Sequence, residues 1–174
     1  MQPTNWYVIT GAPCSGKTAV VTALEQRGFQ VVHEVARAFI DEELQKGRSL
    51  EAIKQDMTVF ERQILDRKLE IESRLARDTL TFLDRALPDS IAYYRLCGID
   101  PRGAIEKSRT YRYKEVFLFE RLLFEKDRVR SEDDNLAAGL ERLLAESYRM
   151  LGYSPVSVPL MPIGERIDFI LKRI

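Results

Sequence analysis

Three groups of residues have the types and spacing that chemistry demands. The first, Gly11-Ala12-Pro13-Cys14-Ser15-Gly16-Lys17-Thr18, matches G-x-x-x-x-G-K-[ST]. Glycines let a backbone curl so that its N–H groups surround an anion, and a helix starting directly after the loop adds its dipole. The expected ligand is a nucleoside triphosphate held by Gly11, Ala12, Pro13, Cys14, Ser15, Gly16, Lys17, Thr18 and Ala19. Lys17 is expected to reach the β- and γ-phosphates as a mobile cation, and the Thr18 hydroxyl to hold Mg²⁺. The second group, Asp84-Arg85, follows the apolar run Leu80 to Leu83. Asp84 would bind or orient the Mg²⁺ shell, and the planar fork of Arg85 would grip an anionic substrate. In the third, Glu34 precedes Arg37 by three residues, one helical turn. Glu34 could take a proton from a substrate hydroxyl, and Arg37 could contact substrate or Glu34 itself. Each pair also reads as an ordinary ion pair or a solvated helix start.

Elements of the right kind flank these residues. Trp6 to Thr10 (WYVIT) reads as a strand feeding the loop, and Ala19 to Gln26 as the helix leaving it, with Gly28 as a stop. Phe29 to His33, Leu80 to Leu83, Val116 to Phe119 and Pro155 to Leu160 are four more short apolar runs without in-out alternation. Such strands, separated by helices, imply a parallel sheet covered on both faces. Asp84 and Glu34 then fall at the carboxyl ends of strands, where ligands bind in open α/β sheets. Leu50 to Arg77 reads as a long helix or helix pair whose stripe of Ile53, Met57, Phe60, Ile64, Ile71 and Leu75 packs the core. Ser131 and Asp134 resemble a capping box ahead of a helix closed by Gly152, and a last helix runs from Gly164.

Other groups carry weaker signals. Glu120 to Arg130 is dense in charge after the fourth apolar run. A lid over residues 120–134 would bring Arg121, Arg128 and Arg130 over the phosphates, with Arg128 as the catalytic cation; a solvated face would look the same. Tyr93, Tyr94, Tyr111 and Tyr113 with Arg109 and Arg112 could stack a base or pack the core. His33-Glu34 opens like H-E-x-x-H, but position 37 is Arg, so the second zinc ligand is missing and His33 reads as a packed strand end.

Composition narrows the function classes. The 174 residues are 45% hydrophobic and 31% charged, which suits one α/β domain over residues 1–174. Lys+Arg and Asp+Glu tie at 27 each, so a nucleic-acid partner, which usually demands a basic excess, is not expected. Two cysteines fit a reducing cytoplasm better than a disulfide scaffold. No targeting segment or bilayer-length apolar run is read, so neither is a membrane partner. Asn5 and Asn135 do not precede Lys, so the guanine-reading Asn-Lys-x-Asp of regulatory GTPases is absent, and Asp100-Pro101-Arg102-Gly103 is a chance D-x-x-G match. Arg at position 85, where motor ATPases place Glu, is the pattern of nucleoside and nucleotide kinases.

YVITGAPCSGKT, HEVAR, FLDRALPDSIAYYRL, YKEVFLFE and LGYSPVSVP with GERIDFIL together resemble the small P-loop ATPase and kinase family related to the ribosylnicotinamide kinase domain of NadR, a bacterial regulator of NAD metabolism. The resemblance implies a P-loop NTPase fold of nucleoside/nucleotide-kinase type, with a five-stranded parallel sheet in the order 2-3-1-4-5. It also implies a nucleotide site at Gly11 to Thr18 and a second site near Glu34, Arg37, Asp84 and Arg85. His33 stands where relatives often have Pro, and the loop after the fourth strand lacks their prolines. The adenylyltransferase and DNA-binding segments of those regulators do not carry over. The expectation is Mg²⁺-dependent transfer of the γ-phosphoryl of ATP, or of GTP, to a nucleoside-like metabolite, with Glu34 or Asp84 as base. The alternative is a nucleotide-dependent switch with slow hydrolysis.

Overall fold

The computed structural model describes residues 1–121 and 132–174. In chain order the elements are β1 (Gln2–Pro3), β2 (Trp6–Thr10), α1 (Lys17–Gln26), β3 (Gln30–Val32), α2 (Val35–Gln45), α3 (Leu50–Ile53), α4 (Met57–Arg74), β4 (Thr81–Asp84), α5 (Leu87–Leu96), α6 (Arg102–Ser108), β5 (Tyr111–Arg112), β6 (Glu115–Phe119), α7 (Glu132–Arg149), β7 (Val156–Val158) and α8 (Ile163–Leu171). The five-stranded sheet runs β3-β4-β2-β6-β7, parallel throughout, which is 2-3-1-4-5 in chain order of its strands. Register sets Ile9 opposite Asp84 and Thr10 opposite Leu118, so the carboxyl ends of β2, β4 and β6 share one edge.

Both faces of the sheet are covered, which explains why its strands lack alternation. On one face Trp6, Val8, Leu83 and Val116 pack with Leu65 of α4, Leu87 and Ile91 of α5 and Tyr148 of α7. On the other, Tyr7, Ile9, Phe82, Phe117 and Phe119 pack with Val20 and Leu24 of α1 and Ile167 and Ile170 of α8. Trp6 is fully buried, and its indole Nε1 donates to the Ala76 carbonyl at 3.0 Å. Replacing such an aromatic by Ala costs about 3–5 kcal/mol. A third cluster, Phe39, Ile53, Phe60 and Ile64, joins α2, α3 and α4 beside the main core.

The segment read as one helix or a pair over residues 50–77 is a pair. Asp56 ends the continuity by accepting the Thr58 and Val59 N–H groups, and α4 stops at Arg74. The stripe is only partly core, since Met57 is exposed and, with Phe60 and Ile64, lines a cleft. Gly152, at φ +80, closes α7 as expected, its N–H donating to the Arg149 carbonyl. Ser131 of the expected capping box and Arg128 and Arg130 of the expected lid lie outside the described residues. Short β1 pairs with β5 in a separate parallel ladder that two-residue strands left invisible to periodicity. Among the described residues, no helix is long and apolar enough to cross a membrane.

Candidate functional site

The loop from Gly11 to Gly16 lies at the carboxyl edge of β2, and its backbone dictates its glycines. Gly11 has φ +146, and a Cβ there would sit 2.6 Å from the Phe119 carbonyl oxygen. Gly16, at φ +83, is the N-cap of α1 and supplies no capping side chain, which leaves the first-turn N–H groups of α1 for an anion. Cys14 adopts φ +60, a left-handed conformation that a non-glycine residue holds only under constraint from its surroundings. Thr18 and Ala19 are exposed on the first turn of α1.

Lys17, expected as a mobile cation, is held within the loop. It is 5% exposed, and its Nζ donates to the Ala12 carbonyl at 2.8 Å and the Ser15 hydroxyl at 3.0 Å. Burial, assisted by the Arg85 charge, brings its amine down to about 8 against the pull of Asp84, Glu34 and Asp89. It is thus a cation whose charge the protein tolerates poorly, beside a loop suited to anions.

Arg85 links the loop to the neighbouring strand ends. Its backbone is left-handed at φ +68, its N–H donates to the Ile9 carbonyl, and its guanidinium reaches Glu34 through Nε (3.1 Å) and Asp89 through Nη1 (3.3 Å). Glu34 and Arg85 are therefore brought together as the sequence suggested, and Arg85 also lies 5.4 Å from the Tyr93 ring centre. Asp84 is 1% exposed, and its Oδ1 is buried without a hydrogen-bond partner. Burial pushes its carboxyl up to about 6, with Glu34 and Asp89 adding to the rise and Arg85 and Lys17 opposing it.

Sequence reasoning missed Asp89, which organises the floor of the site. Fully buried at the third position of α5, it accepts from Thr10 Oγ1 (2.5 Å), the Ala86 N–H (2.9 Å), Arg85 and Tyr148 OH (2.5 Å). Burial alone would raise its carboxyl, but Lys68, Arg85 and these donors hold it below the usual range. Proline at the second position of α5 and an acid at the third, in Leu87-Pro88-Asp89, were the available signal. Lys68, 4% exposed, donates to the Ala86 carbonyl and the Ser90 hydroxyl, both at 3.2 Å. Glu72 accepts from the Leu87 N–H and Tyr113 OH. Arg166 of α8 braces the loop from behind, its Nη1 donating to the Ser15 carbonyl at 2.6 Å.

Beside the loop opens a cleft of about 530 Å³ lined by Pro13, Glu34, Arg37, Phe60, Arg85 and Tyr93 among others. That volume suits a small molecule. Arg37 stands exposed at its wall. Of the tyrosines weighed for base stacking, Tyr94, Tyr111 and Tyr113 belong to the core, and only Tyr93 faces the cleft. His33 is not packed: its ring is half exposed and its Nε2 lies 3.0 Å from Glu25 Oε2. Asp100 of the chance D-x-x-G match simply receives the Arg102 N–H and side chain at the start of α6. Arg121 is the one arginine of the expected lid among the described residues.

Comparison with solved structures places this geometry in a known fold. Thymidylate kinase from Ehrlichia chaffeensis superposes with a TM-score of 0.69 at 12% identity, covering 96% of each chain. Deoxyadenosine kinase from M. mycoides, with dCMP and dCDP bound, gives 0.62 at 15% identity, again over 96% of both. NadR in complex with NR gives 0.71 at 13% identity, and the chain, 98% of it aligned, spans 51% of the NadR chain. No curated protein sequence matches significantly. A family model described as an AAA domain matches residues 6–166, nearly the whole chain. The protein therefore belongs to this AAA domain family, AAA_28, built on the P-loop kinase-like fold that it shares with NadR.

Proposed function

We propose that the protein transfers the γ-phosphoryl group of ATP to a hydroxyl of a small, nucleoside-like acceptor. The observation that carries this reading is the cleft. A nucleotide switch needs only the phosphate loop, whereas here a second cavity of about 530 Å³ meets that loop at Pro13 and presents Glu34 and Arg85. Similarity to thymidylate and deoxyadenosine kinases, which act on nucleotides and nucleosides, supports the same reaction class.

In this reading the loop N–H groups and Lys17 hold the β- and γ-phosphates. Lys17 must exchange its contacts with Ala12 and Ser15 for phosphate oxygens, and the anion would restore the charge that burial disfavours. The acceptor occupies the cleft with its hydroxyl toward Glu34. That hydroxyl oxygen forms a bond to the γ-phosphorus as the bond from phosphorus to the β,γ-bridging oxygen breaks. The hydroxyl proton passes to a Glu34 carboxylate oxygen, and ADP departs. Glu34 Oε1 accepts from Arg85 Nε, which fixes the orientation of the carboxylate. Arg85, already compensated by Glu34 and Asp89, orients the base more than it adds free positive charge. Arg37 contacts the acceptor at the wall.

The Thr18 hydroxyl and Asp84 form an all-oxygen donor set suited to Mg²⁺, and the unpartnered, buried Oδ1 of Asp84 fits a ligand role. Bound there, Mg²⁺ would supply charge neutralisation at the phosphates. The test is ADP release from ATP in the presence of a panel of nucleosides. Saturable dependence on an acceptor is expected; the same slow release with and without every acceptor would leave a nucleotide switch instead.

A further inference from the structure

One buried group in the cleft has no task in the phosphoryl transfer described above. The face of α4 toward the cleft carries Met57, Phe60, Glu61, Ile64 and Lys68, a run at helical spacing. Two ionisable residues interrupt this apolar stripe. Lys68 is satisfied by Ala86 and Ser90. Glu61 is 5% exposed and, among the described residues, has no hydrogen-bond or ion-pair partner. Burial raises its carboxyl despite the nearby charges of Lys68, Lys54 and Arg85. Its oxygens open onto the cleft, where a ligand can supply the partner that the fold does not.

We infer that Glu61 determines acceptor specificity: its carboxyl receives a hydrogen bond from an amino N–H on the planar part of the acceptor, which selects amino-bearing nucleosides. The cleft shapes that choice. Phe60, Ile64 and Tyr93 offer apolar and aromatic surface to a flat ring, while Glu34 and Arg85 mark the end near the phosphate loop where the hydroxyl must lie. Of the polar side chains on the cleft lining, Glu61 is the buried one without a hydrogen-bond partner, which suits it to read the edge of the ring. An ionised carboxyl only accepts hydrogen bonds, and a protonated one accepts and donates. An amino group is therefore served by either form. A ring carbonyl at the same place is served only by the protonated form and meets acceptor–acceptor repulsion from the other. Bases of the cytosine and adenine type should be favoured over uracil and hypoxanthine. The inference rests on the phosphotransferase reading and adds its substrate class.

The experiment compares cytidine with uridine and adenosine with inosine as acceptors for wild type, Glu61→Gln and Glu61→Leu. Calorimetric titration of ATP alone runs in parallel. Wild type should favour the amino member of at least one pair by about 10- to 100-fold in kcat/KM, the scale of a hydrogen bond to a charged group. Glu61→Gln presents both a carbonyl and an amide N–H. It should keep the KM for the amino member within a few-fold while the preference falls toward one. Glu61→Leu should raise that KM by about tenfold or more, leave ATP affinity unchanged and not lower Tm, because no hydrogen bond within the fold depends on this carboxyl. A merely structural Glu61 would lower Tm on substitution and leave the preference intact. A wild-type preference near one or toward the keto member would overturn the inference, as would an unaltered preference in Glu61→Gln. If ATP binds but no nucleoside is bound or phosphorylated, the phosphotransferase reading falls and this inference falls with it.

Discussion

The phosphate loop and the cleft beside it are built on different principles. The loop is contiguous in sequence and its geometry is written in the backbone: Gly11 against the Phe119 carbonyl, Gly16 at the head of α1, Cys14 left-handed between them. The cleft draws Glu34 and Arg37 from the start of α2, Glu61 and Lys68 from α4, Arg85 from the end of β4 and Tyr93 from α5. The loop's backbone geometry and Lys17 suit an anion. The cleft is side-chain chemistry and can be retuned without moving the sheet. A fold that fixes the donor and leaves the acceptor to side chains can serve many substrates.

Perturbing each half separately tests that division. The largest effect is expected from Lys17→Ala, which should abolish measurable acceptor phosphorylation and weaken ATP binding by at least about 100-fold, while circular dichroism stays native. Because the folded Lys17 amine lies near 8 rather than 10.5, ATP affinity should also fall as pH rises through 8. Binding below that pH should leave proton uptake small, and binding above it should take up protons, visible as a dependence of calorimetric heats on the buffer.

Asp84→Asn should come next, removing the metal dependence of ATP binding. Its stability effect has the opposite sign. The Asp84 carboxyl is raised from 3.8 to about 6 in the fold, so stability linked to it is fully present below about pH 4 and lost as pH rises through 6. Asp84→Asn should therefore have a higher Tm than wild type at pH 8, with the gap closing as pH falls through 6 toward 4. A lower Tm at pH 8 would mean that the buried carboxylate is compensated by partners in the fold. Arg166→Ala, which loses the contact to the Ser15 carbonyl, should raise KM for ATP about tenfold, the scale of one charge-assisted hydrogen bond, and leave the acceptor KM alone. An equal rise in both would place Arg166 outside the donor half.

What the sequence revealed follows the same line. G-x-x-x-x-G-K-[ST] after WYVIT located the loop because backbone geometry restricts which residues can stand there. Five apolar runs without alternation announced a doubly covered parallel sheet because both faces of every inner strand are buried. Glu34 and Asp84-Arg85 were legible from their places at strand ends, and the 3.1 Å contact between Glu34 and Arg85 joins two of them. Glu61 and Lys68 were not, because a helical stripe counts apolar residues and passes over the charges between them; Asp89 was passed over although Leu87-Pro88-Asp89 marks a helix start. Yet residues 57, 60, 61, 64 and 68 share one face, and an acid and a base at core positions of an amphipathic helix were a signal of a lined site. Arg166 could not be found at all, since its contact with Ser15 spans 151 residues.

The most direct test of the whole account is single-turnover phosphoryl transfer by Glu34→Gln, measured with ATP affinity in the same preparation and an acceptor that wild type uses. The amide keeps the shape of the side chain but cannot take the hydroxyl proton. ATP affinity is expected within twofold of wild type, with transfer slowed by about 10²- to 10⁴-fold. Transfer at the wild-type rate would contradict the account by showing that Glu34 only holds Arg85 in place.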